Sequence, residues 1–453
     1  MGSLTERLEQ RRNPDFYRNS NREFIEDAAL TARDEYRELK KKVQERLIDS
    51  FSGSQLMEEN SRQNQDRIIE KIHEFLDEEG AILSTRDESR ISQEIYDEVM
   101  GLGPIQPLLR DTSVSEIMVI SASQVYIEKR GRLQLSEVKF ENDAHIMKII
   151  DRIVSKVGRR CDESNPMADA RLPDGSRVNA VIPPIALKGP CLTIRKFSAT
   201  PLGVRDLIEK DSLTREMSMF LEACVKGKCN IVVAGGTGSG KTTLLNVLSS
   251  FIGSDERIVT IEDAAELQLM QQHVVTLEAR PANIEGKGKV AIRDLVVNAL
   301  RMRPDRIVVG EVRSSEALDM LQAMNTGHDG SMTTVHANAP RDVLSRLETM
   351  VMMSGMELPS KAIREQVSSA INIIVQQARL RDGSRKITNI TEVLGMEGDT
   401  IVLQDIFTFV QEGVDAAGRI RGRFTGTGII PRVTARLEEE GVAFSEWWFN
   451  SDF

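Results

Sequence analysis

Eight consecutive residues, Gly235-Gly236-Thr237-Gly238-Ser239-Gly240-Lys241-Thr242, carry the strongest chemical signal in this chain of 453 residues. They match G-x-x-x-x-G-K-[ST] in full. Glycines let successive backbone N–H groups turn inward around phosphate oxygens, and a helix that starts there adds its partial positive charge. Lys241 is placed to neutralise the β- and γ-phosphates of ATP, and Thr242 to offer a hydroxyl to Mg²⁺. The flanks fit a phosphate loop rather than a flexible glycine linker. Asn230-Ile231-Val232-Val233-Ala234 reads as a buried strand, and Thr243-Leu244-Leu245-Asn246-Val247-Leu248 as the start of a helix.

A phosphate loop alone only binds. Hydrolysis needs acids at the carboxyl ends of neighbouring parallel strands, where ligands sit in open α/β sheets. Ile258-Val259-Thr260-Ile261 runs into Glu262-Asp263, with Glu266 close behind. Ile307-Val308-Val309 runs into Gly310-Glu311. In the second run a glycine stands where a Mg²⁺-associated aspartate is usual, so Glu311 and Glu262 are expected to divide the metal and water roles. Spacing alone leaves open which of them is the base.

His328 and His336, two of five histidines, lie eight residues apart in TGHDGSMTTVH. An imidazole here is suited to touching the γ-phosphate and reporting its loss. No cysteine or HExxH pattern accompanies the pair, which argues against a zinc centre. Arg171, Arg177 and Arg195 lie upstream, and Arg293, Arg301 and Arg303 precede the second acidic strand. A phosphoryl transition state concentrates charge that arginines stabilise, often from another domain or subunit.

These residues need a scaffold. Residues 1–100 carry apolar stripes at helical spacing (Leu30, Tyr36, Leu39, Val43 and Leu47; Ile68, Ile72, Phe75 and Leu76; Ile91, Ile95 and Val99) and are expected to form a helical bundle. Breaks at SFSGS (50–54) and around Gly80 separate the stripes. Residues 101–197 read as an α+β domain, with strands at Glu116–Ile120, Gln124–Glu128 and Val178–Ile182 and turns at Lys129-Arg130-Gly131-Arg132 and Leu172-Pro173-Asp174-Gly175. A helix near 143–158 has Ile146, Ile149, Ile150, Ile153 and Val154 on one face. Residues 198–212 read as a hinge. Alternating strand and helix signals over 213–380 predict a parallel α/β sheet, and 381–453 a C-terminal extension with a mobile glycine-rich part at 413–428.

Composition sets the outer limits. Hydrophobic residues at 40 % suffice for several cores, and a net charge of −10 does not favour duplex DNA or an anionic membrane as main partner. No run approaches a bilayer span, and no signal peptide or myristoylation pattern opens the chain. Cys161, Cys191, Cys224 and Cys229 fit no disulfide or zinc spacing and read as reduced thiols of a cytosolic protein.

The boxes GGTGSGKTT (235–243), TIEDAAEL (260–267), RPDRIVVGEVR (303–313) and TGHDGSMTTVHAN (326–338), in that order, resemble the secretion and pilus traffic ATPases of type II and type IV systems. The resemblance covers roughly 100–380. GLGPIQPLLRD, VSEIMV (114–119), LPDGSRVNAVIPP (172–184) and LTIRKF (192–197) look like the CpaF/TadA branch, which assembles Tad pili. The resemblance implies a RecA-like P-loop ATPase domain, a preceding PAS-like α+β domain and an N-terminal helical bundle, assembled as a homohexamer. It further implies ATP and Mg²⁺ at the domain interface, Glu262, Glu311, His328 and His336 at the site, and Arg177 and Arg195 reaching it. The expected place is the cytoplasmic face of the inner membrane, reached only through platform proteins, with no nucleic-acid partner. Two readings compete with this one: an ATPase of a DNA- or protein-exporting type IV system, and a nucleotide-gated scaffold that does not hydrolyse. The presence of Lys241, Glu262 and Glu311 speaks against the scaffold.

Overall fold

Three amphipathic helices, α1 (Arg37–Ser50), α2 (Arg62–Glu78) and α3 (Thr85–Val99), come first among the described residues. The computed structural model describes residues 36–50, 62–80, 83–129, 131–197, 201–282 and 287–450; Leu30, Phe51–Ser54 and Arg130 of the sequence reading fall outside them. Val43, Leu47, Ile68, Ile72, Phe75, Leu76, Ile91 and Ile95 form one apolar cluster. The stripes meet because residues three and four apart share a helix face. Ser84 caps α3, its hydroxyl accepting from the Asp87 N–H at 3.1 Å. Asp97, at the far end of α3, takes both guanidinium nitrogens of Arg110 at 2.6 and 2.9 Å, which fastens the bundle to α4 (Gln106–Arg110).

A six-stranded antiparallel sheet follows: β1 (Val114–Ser121), β2 (Gln124–Lys129), β3 (Arg132–Leu135), β4 (Met167–Arg171), β5 (Arg177–Val181) and β6 (Cys191–Arg195) in the order β3-β2-β1-β6-β5-β4. The isoleucine face of α5 (Asp143–Lys156) packs on it. Pairing aligns Arg171 with Arg177, Arg177 with Arg195, and Arg195 with Glu116. Directly paired residues share a face, so three arginines stand side by side across adjacent strands. The 172–175 turn forms as read, with Gly175 at φ 88° and the Asp174 carboxylate accepting from the Ser176 N–H at 2.9 Å.

The chain divides into two compact units between Lys196 and Phe197, so the bundle and the six-stranded sheet belong to one unit. In the second unit, α6 (Val204–Glu209) and α7 (Arg215–Lys226) lead into a nine-stranded sheet. Leu207 and Leu213 are buried in its core. The part of the expected hinge from 201 onward is therefore built into this unit, because its apolar side chains are buried there.

Six strands of the sheet run parallel: β7 (Ile231–Gly235), β8 (Ile258–Glu262), β9 (Val274–Glu278), β10 (Arg306–Val309), β11 (Met332–Val335) and β12 (Ile373–Arg379). β13 (Arg385–Glu397), β14 (Thr400–Val414) and β15 (Ile420–Gly426) continue antiparallel, giving the order β15-β14-β13-β12-β7-β11-β10-β8-β9. Along β7, Ile231 and Val233 enter one core with α7, α8 (Lys241–Ser249) and the Trp448-Phe449 end. Val232 and Ala234 enter the other, with α9 (Ile292–Ala299), α10 (Glu316–Asn325), α11 (Pro340–Met352) and α12 (Ser360–Ala370). Period-2 alternation with both faces covered is why these strands read as unbroken apolar runs. Residues 385–426 widen the same sheet, and the glycine-rich stretch belongs largely to the β14–β15 hairpin. Gly422 there serves close approach: a Cβ on it would lie 2.5 Å from the Phe409 ring.

Candidate active site

The parallel strands carry their chemical groups to one edge of the sheet. β7 ends at Gly235, β11 ends next to His336, β10 ends next to Gly310-Glu311, and β8 ends at Glu262. The register holds them level, with Val335 beside Ala234, Val309 beside Thr333 and Ile261 beside Val309. Side chains lock the ends together. The Thr334 hydroxyl donates to the Gly310 carbonyl at 2.8 Å, and the Val312 N–H to the Thr334 carbonyl at 3.0 Å.

The loop turns sharply at Gly238 (φ 70°) and Gly240 (φ 96°), a region L-residues with side chains rarely adopt. Lys241 is buried, and its ammonium donates to the Gly236 carbonyl at 3.2 Å. The same Nζ lies 3.3 and 3.4 Å from the two ring nitrogens of His336. Burial first, and then the Lys241 ammonium, push the His336 ring below its usual value against the pull of Glu311. Thr242 and Thr243 follow in the first turn of α8.

Glu311 sits between His336 and Arg313. Its Oε2 accepts from Arg313 at 2.6 Å. Its Oε1 is 2.9 Å from His336 Nε2, yet that approach is too poorly aligned for a hydrogen bond, and Oε1 is a buried oxygen with no donor. A buried carboxyl oxygen left without a donor, at the end of β10, fits a metal-bound or attacking water.

Glu262 is held differently. It is 3 % exposed, and its Oε1 accepts from the Glu266 and Leu267 N–H groups at 2.9 and 3.1 Å. It also explains the departure at residue 310. A Cβ on Gly310 would lie 2.8 Å from Glu262 Cγ, so the usual aspartate has no room there.

The site thus gathers Gly235 to Thr243, Glu262, Glu311 and His336. His328 precedes β11 and so lies toward the opposite edge of the sheet from His336; its Nδ1 is buried without a hydrogen-bond partner. Arg293 is paired with Asp319 at 2.8 Å. Arg177 and Arg195 lie in the first unit, Arg195 exposed and 3.9 Å from Glu116. Sequence reading missed Gln377, Arg379 and Arg385, which crowd the loop from β12 and β13. Arg306, fully buried and bidentate to Glu256, opens β10 at the sheet edge opposite the site. Among the described residues no group of three or more His, Cys, Asp or Glu could hold a metal ion unaided.

Comparison with known proteins places the chain in a family. A family model described as "Type II/IV secretion system protein" matches residues 98–424. A Mycobacterium tuberculosis (strain H37Rv) protein provisionally named for conjugal transfer is 36 % identical over 307 residues, 66 % of this chain and 87 % of that one. The conjugal transfer protein TrbB of Rhizobium radiobacter is 32 % identical, over 64 % of this chain and 86 % of its own. The type IV secretion system protein VirB11 of Bartonella henselae is 31 % identical, over 71 % and 96 %.

Proposed function

We propose, because this chain belongs to the type II/IV secretion system protein family and is an ATPase, that it is the homohexameric cytoplasmic motor of Tad pilus assembly. The observation that carries the chemistry is Glu311, whose donorless Oε1 lies at the end of β10 beside His336. Loop amides and Lys241 hold the phosphates, and Thr242 and Glu311 would hold a Mg²⁺ brought with the nucleotide. When bound, that ion neutralises charge on the β- and γ-phosphates. Glu311 orients and deprotonates the attacking water. Glu262 keeps the acidic turn at 263–267 in place and would add negative charge to the site when a metal is bound. Arg177 and Arg195 stabilise the γ-phosphoryl transition state, and His336 reports its loss; His328, at the other edge of the sheet, has no part in it. Force passes to an inner-membrane platform protein, with membrane contact through partners and no nucleic acid in the cycle. No described helix is long and apolar enough to cross a membrane.

The names of the relatives favour a second reading, the motor of a DNA- or protein-exporting type IV system. Deletion in the native host, scored in parallel for surface pili and for export or conjugation, separates the two. Release of phosphate by the purified protein, abolished by Glu311→Gln, tests the motor chemistry common to both.

A further inference from the structure

The phosphate loop is braced from a side that none of the nucleotide boxes occupies. β12 runs parallel to β7 and brings Gln377 beside Gly235. It continues to Arg379, whose partner across the hairpin is Arg385, the first residue of β13. Arg385 Nε donates to the Gly238 carbonyl at 3.1 Å. A Cβ on Gly240 would lie 3.3 Å from Arg385 Cδ and 3.4 Å from Gln377 Nε2, and one on Gly238 would lie 3.5 Å from Arg379 Nη1. A Cβ on Gly235 would run into the Gln377 carbonyl. These contacts come from residues about 140 positions downstream.

The bond to Gly238 has a directional consequence. A peptide unit is planar and trans, so its carbonyl and the following N–H point opposite ways. Pinning the Gly238 carbonyl fixes the opposite direction for the Ser239 N–H, which donates to the Gly236 carbonyl at 3.3 Å. The direction of its amides is what a phosphate loop offers its ligand.

Arg385 is itself anchored. Its neighbour Lys386 pairs with Asp211 at 2.5 Å and lies 5.8 and 5.7 Å from the ring centroids of Phe409 on β14 and Phe424 on β15. At the hairpin tip, Asp382 accepts from the Ser384 N–H at 2.9 Å and, through Oδ2, from the N–H of Ile420, where β15 begins, at 2.8 Å.

We propose that Arg385 is a positioning residue of the phosphate loop, and that the β12–β13 hairpin with β15 behind it sets how tightly the loop holds nucleotide. The proposal rests on the loop binding ATP and ADP. It gives the C-terminal strands a part in the nucleotide cycle beyond completing a sheet.

Binding and release of fluorescent mant-ADP with Mg²⁺, measured on the full chain by titration and stopped flow, test it. Arg385→Gln is expected to weaken binding about tenfold and to speed release by a similar factor, the loss of one charge-assisted bond acting on a preorganised loop. KM for ATP rises with kcat within about twofold. Arg385→Lys, which keeps a charged donor, recovers to within about threefold of the parent. Asp382→Ala, outside the loop, weakens binding about threefold. Wild-type release of mant-ADP from folded Arg385→Gln overturns the proposal. A fall in Tm with unchanged affinity of the folded protein overturns it too. Should Arg385→Gln not fold, unchanged release from Asp382→Ala overturns it instead. Undiminished binding by Lys241→Ala would overturn the nucleotide site itself, a separate failure.

Discussion

Lys241 Nζ stands 3.3 Å from His336 Nε2, so the loop cation and the ring after β11 share one electrostatic environment. Two groups that compete for positive charge at that distance cannot both carry it cheaply. The ring yields, since an ammonium titrates about four units above an imidazole. Lys241→Ala is therefore expected to do two things. Nucleotide binding falls below detection in calorimetry, because the phosphates lose their principal countercharge. The His336 ring proton signals, followed by NMR, titrate at higher pH than in the parent. Retained ATP affinity, or an unmoved titration, contradicts this arrangement.

The depressed His336 value fixes the sign of a pH effect. The unfolded ring binds a proton near pH 6.5, and the folded ring only at lower pH. The unfolded state then holds more protons between the two values, so this contribution to stability is full above about pH 6.5 and is lost as pH falls through the folded value. The parent should lose more Tm than His336→Gln on moving from about pH 7.5 to about 5.5. Equal losses would remove the ring from the account.

The two glutamates are expected to separate by stability as well as by rate. Glu311→Gln keeps ATP bound, keeps Tm and stops turnover, since the amide cannot take a proton from water. Glu262→Gln also lowers turnover, but it replaces a buried carboxylate that holds two backbone N–H groups, so its Tm falls by the equivalent of about 1–3 kcal/mol. A phosphate-release assay and a melt on the same preparations check both. Near-parental turnover in either variant withdraws that residue's catalytic role.

Restoring the usual aspartate makes a sharper test of the acidic pair. Gly310→Asp adds a potential metal ligand, but its Cβ would intrude on Glu262 Cγ at 2.8 Å. The expected result is lower Tm and lower turnover. Raised activity would show that Glu262 has room to move.

What sequence made legible here follows from how local each signal is. The loop from Gly235 to Thr242 is contiguous, so its chemistry could be read whole. Glu262, Glu311 and His336 could be placed because each follows a short apolar strand, and parallel strands deliver their carboxyl ends to one edge. The separation of His328 from His336 was hidden. Eight residues looks close, yet four of them are β11 and carry the chain across the sheet. Gln377, Arg379 and Arg385 were hidden for the opposite reason, since only the strand order sets β12 beside β7. The glycines at 413–428 suggested mobility by composition, whereas Gly422 and Gly426 are small so that Phe409 and the backbone near Phe449 can come close.

The arginine row gives the last prediction. Arg171, Arg177 and Arg195 are consecutive cross-strand neighbours, and Glu116 is the acidic residue that continues the row. Like charges set directly opposite are destabilising. If the row serves the γ-phosphoryl transition state, as proposed above, its arginines act on charge that develops only there. Arg195→Ala is expected to cut turnover by up to about 10³-fold, and Arg177→Ala by less, with little change in ATP affinity because Lys241 keeps that task. Removing one positive charge from the row should leave Tm level or slightly raised. An arginine that merely held Glu116 predicts the reverse: a loss of about 1 kcal/mol or less and unchanged turnover. The two accounts differ in both kcat and the sign of the Tm shift. Normal ATP hydrolysis by Arg195→Ala in an intact oligomer would take this residue out of the chemistry.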